Sequence, residues 1–461
     1  MESRRRRNTG IEENTMAILD ASGFNHDHHY VKDDSNSFLE AVRSASIVPE
    51  NGIAPTKKMF EAIFHILKDE NSMDLIMASY QLLNELDKRF PRVYISRTEK
   101  IESSSPHTAS PELTVVKEAW SPFIFGLDIA YGERGEADKS SGGSLDSAGF
   151  HLLVQSLAKV ADERKFEASE TKSLRNLLLF QYLVNVLEGD FLPRNCVFKE
   201  TMNWILLRES LLNILLGSRK ISYKGLIKDC LSIMCEMCHI CSSDLLKNCD
   251  TAIGIALPEV EKGTCNAVQK LLLMIMELDL SKKAADVQGH TTRADAVRTP
   301  LEEIILDELT YNRDFLSPFL EVFNEPKRKL DIIVQYFSKY IAKPSSVRTR
   351  RSNGSTEDTT FNGILKCFSN GNSTKSVTKK ISTDVVQLLL AHGFQAYFSL
   401  ASQDSVEGIS DFKEDFKGSL MEICKNVISA FTSLRRTDGK MEILPFGKEA
   451  LFTAASVLST K

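Results

Sequence analysis

Apolar residues recur at helical spacing along almost the whole chain, and strict alternation is nearly absent. In "APTKKMFEAIFHILKDE", Met59, Ile63, Ile66 and Leu67 form one stripe, with Thr56 placed to cap its start. "NSMDLIMASYQLLNELDKRFP" brings Leu75, Ala78, Leu82 and Leu86 onto one face until Pro91 stops it. The same spacing runs through "SETKSLRNLLLFQYLVNVLEGD" and "FKETMNWILLRESLLNILLGS", where Gly217 falls at the C′ position. "RTPLEEIILDEL" reads as a capping box, with Thr299 as N-cap, Pro300 at N1 and Glu302 at N3. "EPKRKLDIIVQYFSKYIAKP" opens with Pro326 and closes before Pro344. "STDVVQLLLAHGFQAYFSL", "DFKEDFKGSLMEICKNVISAFTSL" and "FGKEALFTAASVL" complete the series.

The pattern predicts roughly a dozen or more helices of about 12–25 residues. Only "RVYIS" (92–96) and "SPFIFGLDIA" (121–130) suggest short extended segments. Helices this short in a chain this long do not make a single bundle. The expected fold is all-α, an armadillo/HEAT-like stack of antiparallel helices with long flexible loops. No fixed-period consensus is visible, and an irregular all-α globule is the alternative. The expected organisation is a basic disordered tail (1–10), an N-terminal helical segment (11–96), a loop-rich linker (97–147), a central helical stack (148–342), a basic flexible loop (343–380) and a C-terminal helical segment (381–461). The linker and loop assignments rest on Ser, Thr, Gly and Pro content without core-forming residues.

Composition is that of an ordinary globular chain, with 42% hydrophobic and 26% charged residues in 461. No charge-free apolar run reaches the ~18 residues that span a bilayer, so no membrane partner is expected. "MESRRRRNTGIEENT" has no apolar core of a secretory signal, which predicts a reducing compartment and thiols rather than disulfides. In that setting the glycosylation patterns at Asn353 and Asn372 carry no meaning. The net charge of −5 is uneven: residues 1–10 carry +3 and residues 343–380 carry +6, so the rest carries −14. An acidic body makes a poor DNA-binding surface, whereas the basic segments suit nucleic acid or an import receptor.

Candidate chemistry is sparse. "CLSIMCEMCHICSSDLLKNC" (230–249) holds five of nine cysteines, with Cys235, Cys238 and Cys241 spaced by three and His239 between. On a helix over 226–246, Lys228, Ser232, Glu236, His239 and Ser243 form one polar stripe, and the cysteines join the apolar remainder. Cysteine then acts as a small hydrophobe, and the spacing lacks the fourth ligand of an iron–sulfur cluster or the second pair of a zinc knuckle. "NHDHHY" offers His26, Asp27, His28 and His29 as a loop chelate, but without a helical ligand motif it reads as a polar connection. His65 and His392 sit in apolar helical patterns and read as packed or capped. No phosphate-binding, nucleophile-elbow or kinase signature is present, and "SSGGS" (140–144) lacks the lysine and strand of a phosphate loop. No catalytic residue, metal or cofactor is expected, and the protein reads as a binder rather than an enzyme. Arg4, Arg5, Arg6, Arg7, Arg348, Arg350 and Arg351 are candidates for nuclear import or nucleic-acid contact. Ser105 and Ser110, each before proline, are candidate phosphorylation sites.

Several longer stretches resemble one family. They are "GIEENTMAILDASGF", "FLEAVRSASIVPE", "APTKKMFEAIFHILKDENS", "ASYQLLNELDKRFPRVYIS", "EAWSPFIFGLD" and "ILPFGKEALFTAASVLST". Together they resemble the plant negative regulators of systemic acquired resistance. The resemblance implies a nuclear, non-enzymatic helical-repeat protein that represses defence-gene transcription and restrains homologous recombination. It further implies a subunit similar to a non-SMC element of the structural-maintenance-of-chromosomes five–six complex. Its partners would be that complex and a companion non-SMC element in DNA-damage repair, touching chromatin indirectly. The alternative is a direct nucleic-acid binder using the basic segments.

Overall fold

The computed structural model describes residues 13–19, 28–96, 112–125, 144–163, 170–242, 252–291, 298–341, 360–404 and 413–459. The architecture is all-α, helix stacked on helix, as expected. Among the described residues its one sheet is a two-stranded antiparallel ribbon. The chain forms two compact units, Met1–Ile304 and Ile305–Lys461. The division falls inside a helix rather than in either segment that composition marked as a linker.

The first unit begins with α1 (residues 13–19), α2 (His28–Ser46), α3 (Lys57–Asp69) and α4 (Met73–Arg89). The ribbon β1 (Val93–Ser96) and β2 (Glu112–Val115) follows, paired from Val93↔Val115 to Ser96↔Glu112. "RVYIS" is therefore a strand, and its partner lies in the segment expected to be linker. Of "SPFIFGLDIA", residues 121–125 are described and join no strand, although Phe123 bridges Leu145. Next come α5 (Ser147–Glu163), α6 (Glu170–Thr201), α7 (Trp204–Arg208), α8 (Leu211–Gly217), α9 (Tyr223–Ser242) and α10 (Ala252–Val287). Helix α6 is the axis: α3, α4, α5, α7, α8, α10 and both strands pack on it. Every side chain from Leu177 to Val184 is consequently buried, which one amphipathic face could not achieve.

The uninterrupted pattern over 198–218 is broken into three helices. Met202 takes a positive φ of 55°, Asn203 accepts from Ile205 N, and Ser210 accepts from Asn213 N. Two local caps thus override a continuous apolar period.

The second unit holds most of α11 (Leu301–Tyr311), then α12 (Leu316–Val322), α13 (Pro326–Ser338), α14 (Phe361–Phe368) and α15 (Gly371–Ile381). It ends with α16 (Thr383–Asp404), α17 (Lys413–Thr437) and α18 (Pro445–Ser459). Here α16 is the axis, packed by α13, α15, α17 and α18. Gly393 lets the Phe361 ring close on this axis: a Cβ there would lie 2.5 Å from the ring. The expected basic loop over 343–380 needs correcting, because residues 361–368 and 371–381 are helical. Phe361, Ile364, Leu365 and Phe368 form an apolar stripe inside a Ser- and Asn-rich stretch, and Thr360 and Asn370 cap the two helices. The start of α11 also differs from expectation. Its Leu301 amide donates to Asp279 of α10 at 3.0 Å, so a tertiary carboxylate serves the end that Thr299 was expected to cap.

Candidate partner-binding groove

The cysteine helix forms as α9, three residues earlier than expected. Leu226, Ile227, Cys230, Leu231, Ile233, Met234, Cys235 and Met237 are buried, while Lys228 is exposed and Ser232 and Glu236 are half-buried. The backbone stays helical through Cys238, His239 and Cys241, whose side chains lie outside the described residues. On a continuous helix, positions 235, 238 and 241 spread over about 120° and about 9 Å of axis, too far apart to converge on one ion. Burial pushes the Cys230 thiol strongly upward, away from thiolate chemistry. Among the described residues, no group of three His, Cys, Asp or Glu is arranged to hold a metal. No described helix is long and apolar enough to cross a membrane.

The remaining candidates divide as follows. Arg4–Arg7, Arg348, Arg350, Arg351, Ser105, Ser110, His26 and Asp27 lie outside the described residues, and of His28 and His29 only the helical backbone in α2 is described. His65 is a surface residue, its Nδ1 at 3.2 Å from Asp69 one turn on. His392 is buried in α16 with its ring 5.5 Å from Phe446. Desolvation, helped by the charge of Lys329, pushes its pKa down to about 4, so it is a neutral packing residue at pH 7.

The described surface carries a different site. A groove of about 1020 Å³ opens where α3 begins, α4 ends and the ribbon turns back. Its first wall is Ala54, Pro55, Thr56, Lys57 and Phe60 at the start of α3. Thr56 caps this end, accepting from Met59 N at 3.4 Å. Helix α3 buries Met59, Phe60, Ile63, Phe64 and Leu67, the expected stripe rotated so that two phenylalanines replace Ile66. The second wall is the exit of α4 into β1, from Asp87 to Arg92 with Tyr94. Alternation in β1 points Val93 into the core at 2% exposure and Tyr94 outward at 41%. The third wall is Val116, Glu118, Ala119 and Trp120, just after β2.

Aromatic stacking fixes the third wall. The Trp120 ring lies parallel on Phe60 (5.6 Å, 11°) and tilted on Phe64 (5.4 Å), which in turn meets Tyr182 of α6. Arginines fix the second wall. Arg89 donates to the carbonyls of Ile47, Pro49 and Glu50, tying the α2–α3 connection to the end of α4. Arg92 Nε lies 3.9 Å from Asp190 Oδ1, an α6 carboxylate also paired with Arg194 Nε at 3.3 Å and accepting from Leu211 N at 2.8 Å. Burial pushes the Asp87 carboxyl up to about 7, opposed by the Tyr182 hydroxyl. Exposed Lys57 and Lys88 complete the lining, which holds four cations against two carboxylates in a chain of net charge −5.

Sequence reading missed this site because its three walls come from separate segments spread over residues 54–120. The nearest signal was "DKRFPR" close to a strand, together with Trp120, one of only two tryptophans. These groups suit non-covalent recognition: an aromatic and aliphatic lining with exposed lysines.

The family model described as SNI1 middle domain matches residues 92–325, and the one described as SNI1 C-terminal domain matches residues 341–461. The chain belongs to the SNI1 family. It is 49% identical over 453 residues to "Negative regulator of systemic acquired resistance SNI1" of Arabidopsis thaliana, covering 98% of this chain and 95% of the relative. No solved structure matches the chain. Within the SNI1 frame the groove straddles the start of the middle domain: β1 and Trp120 lie inside it, and α3 precedes it.

Proposed function

We propose that this protein restrains systemic acquired resistance as a nuclear, non-enzymatic scaffold. It acts as a subunit of a structural-maintenance-of-chromosomes five–six type complex, alongside a companion non-SMC element. In that setting it serves DNA-damage repair and homologous recombination and represses defence-gene transcription. The observation carrying the defence-restraint part of this reading is the 49% identity, over 98% of this chain, to the Arabidopsis regulator. The stacked helices and the non-covalent character of the groove agree with a role in holding partners. The mechanism is presentation of helical surface to protein subunits, with effects on chromatin following from what is recruited or blocked.

Expression of this chain in an Arabidopsis line lacking its own SNI1 tests the reading. Restored repression of defence genes in uninfected tissue, and recovery of the ATPase complex by affinity purification from nuclei, are the expected results. Failure of both removes the proposal. Salt-sensitive binding of DNA by the purified chain, with no protein subunits recovered, would instead favour direct nucleic-acid contact through the basic segments.

A further inference from the structure

We propose that the groove at the start of α3 docks an extended acidic segment of a protein partner. The segment's carboxylates meet Lys57 and Lys88, and one apolar side chain seats against Tyr94 and Val116. This deepens the scaffold reading and rests on it.

Charge complementarity selects the occupant. The chain as a whole is acidic, yet this groove gathers four cations against Asp87 and Glu118. Arg89 and Arg92 are already engaged with backbone carbonyls and Asp190, so they shape the wall. Lys57 on the first wall and Lys88 on the second stand exposed and remain to meet a ligand. Tyr94 on the second wall and Val116 on the third add exposed apolar surface to the same groove, at 41% and 39%. A ligand carrying several negative charges and one apolar group satisfies both features. Nucleic acid fits less well. Trp120 already has one face covered by Phe60, which removes half of a base-stacking platform.

Fluorescence anisotropy with the full chain tests the proposal. The probes are a short fluorescein-labelled peptide of glutamate and aspartate around one leucine, its glutamine/asparagine counterpart, and a labelled single-stranded oligonucleotide. The acidic peptide should bind saturably, and binding should weaken with salt. A Lys57→Glu/Lys88→Glu variant, shown by circular dichroism to stay folded, should bind it at least about tenfold more weakly. Tyr94→Ser should also weaken binding without changing its salt dependence. Unchanged affinity in the double-lysine variant, equal binding of the amide peptide, or an oligonucleotide that binds and is lost in the same variant would overturn the proposal. If nuclear subunits still co-purify with the double-lysine variant, the groove assignment fails while the scaffold reading stands.

Discussion

Helix α6 of the first unit and helix α16 of the second occupy equivalent positions, each wrapped by its neighbours, yet their interiors treat polar groups differently. In α6, Gln181 donates to Val260 O and Thr264 Oγ1 and accepts from Tyr80, linking α4, α6 and α10. Asn195 accepts from Ser281 at 3.1 Å. Asp190 lies between Arg92 and Arg194 while holding the start of α8. In α16, Gln387 ties down the chain before α18 through Glu442 O and Leu444 N, but His392 is buried with Nε2 unpartnered. The first axis therefore carries charge inward and uses it to fasten a strand and a helix end. The second buries a neutral imidazole within reach of the charge of half-buried Lys329 on α13. A buried charge is tolerated when its partners are built in around it, and a titratable group without partners surrenders its proton or takes one.

Breaking the ion cluster should have the largest effect. Asp190→Ala leaves two arginines without their shared carboxylate and should destabilise the first unit by about 3–5 kcal/mol. Trp120 and Trp204 are the only tryptophans and both lie in that unit, so denaturation followed by tryptophan emission reads it selectively. A loss below about 1 kcal/mol would mean the cluster is not a fastening point.

The pH response should differ in sign between the units. His392 is lowered from 6.5 to about 4, so its contribution is full above 6.5 and is lost as pH falls through 4. The second unit should lose about 2–3 kcal/mol across that window, and His392→Leu should flatten the loss, read by hydrogen exchange along α16. Glu261 of α10 is buried with both carboxyl oxygens unpartnered, and burial raises it from 4.5 to about 7. Its neutral form is the folded one, so stability is full below 4.5 and is lost as pH rises through 7. Glu261→Gln should raise first-unit stability at pH 8 by about 2 kcal/mol and change little at pH 4. Equal responses at both pH values would remove the contrast.

The smallest effect concerns the groove edge. Thr56→Ala removes the cap of α3 and should cost about 1 kcal/mol. It should also raise amide exchange at the first turn of α3 without affecting α16.

Legibility followed the range of the determining interactions. Helices with their own stripe and cap were read directly: Thr56 before α3, the stop of α4 ahead of Pro91, and Pro326 opening α13. The cysteine-rich stretch reads as a packed helix because its polar positions fall on one side. Composition misled at residues 361–381, where four apolar residues on one stripe outweigh the surrounding Ser and Asn. β2 was missed because four residues with half-buried pairing carry almost no period signal.

Sequence alone determined that this is a stack of helices and which family it belongs to, because helical period, caps and long shared wording are local or linear properties. Tertiary structure decided which helices become axes, that Asp279 serves the start of α11, and that Lys57, Lys88, Tyr94 and Trp120 meet in one groove. Those outcomes depend on burial and on charges brought together from distant segments. A one-dimensional pattern contains the groups but not their distances.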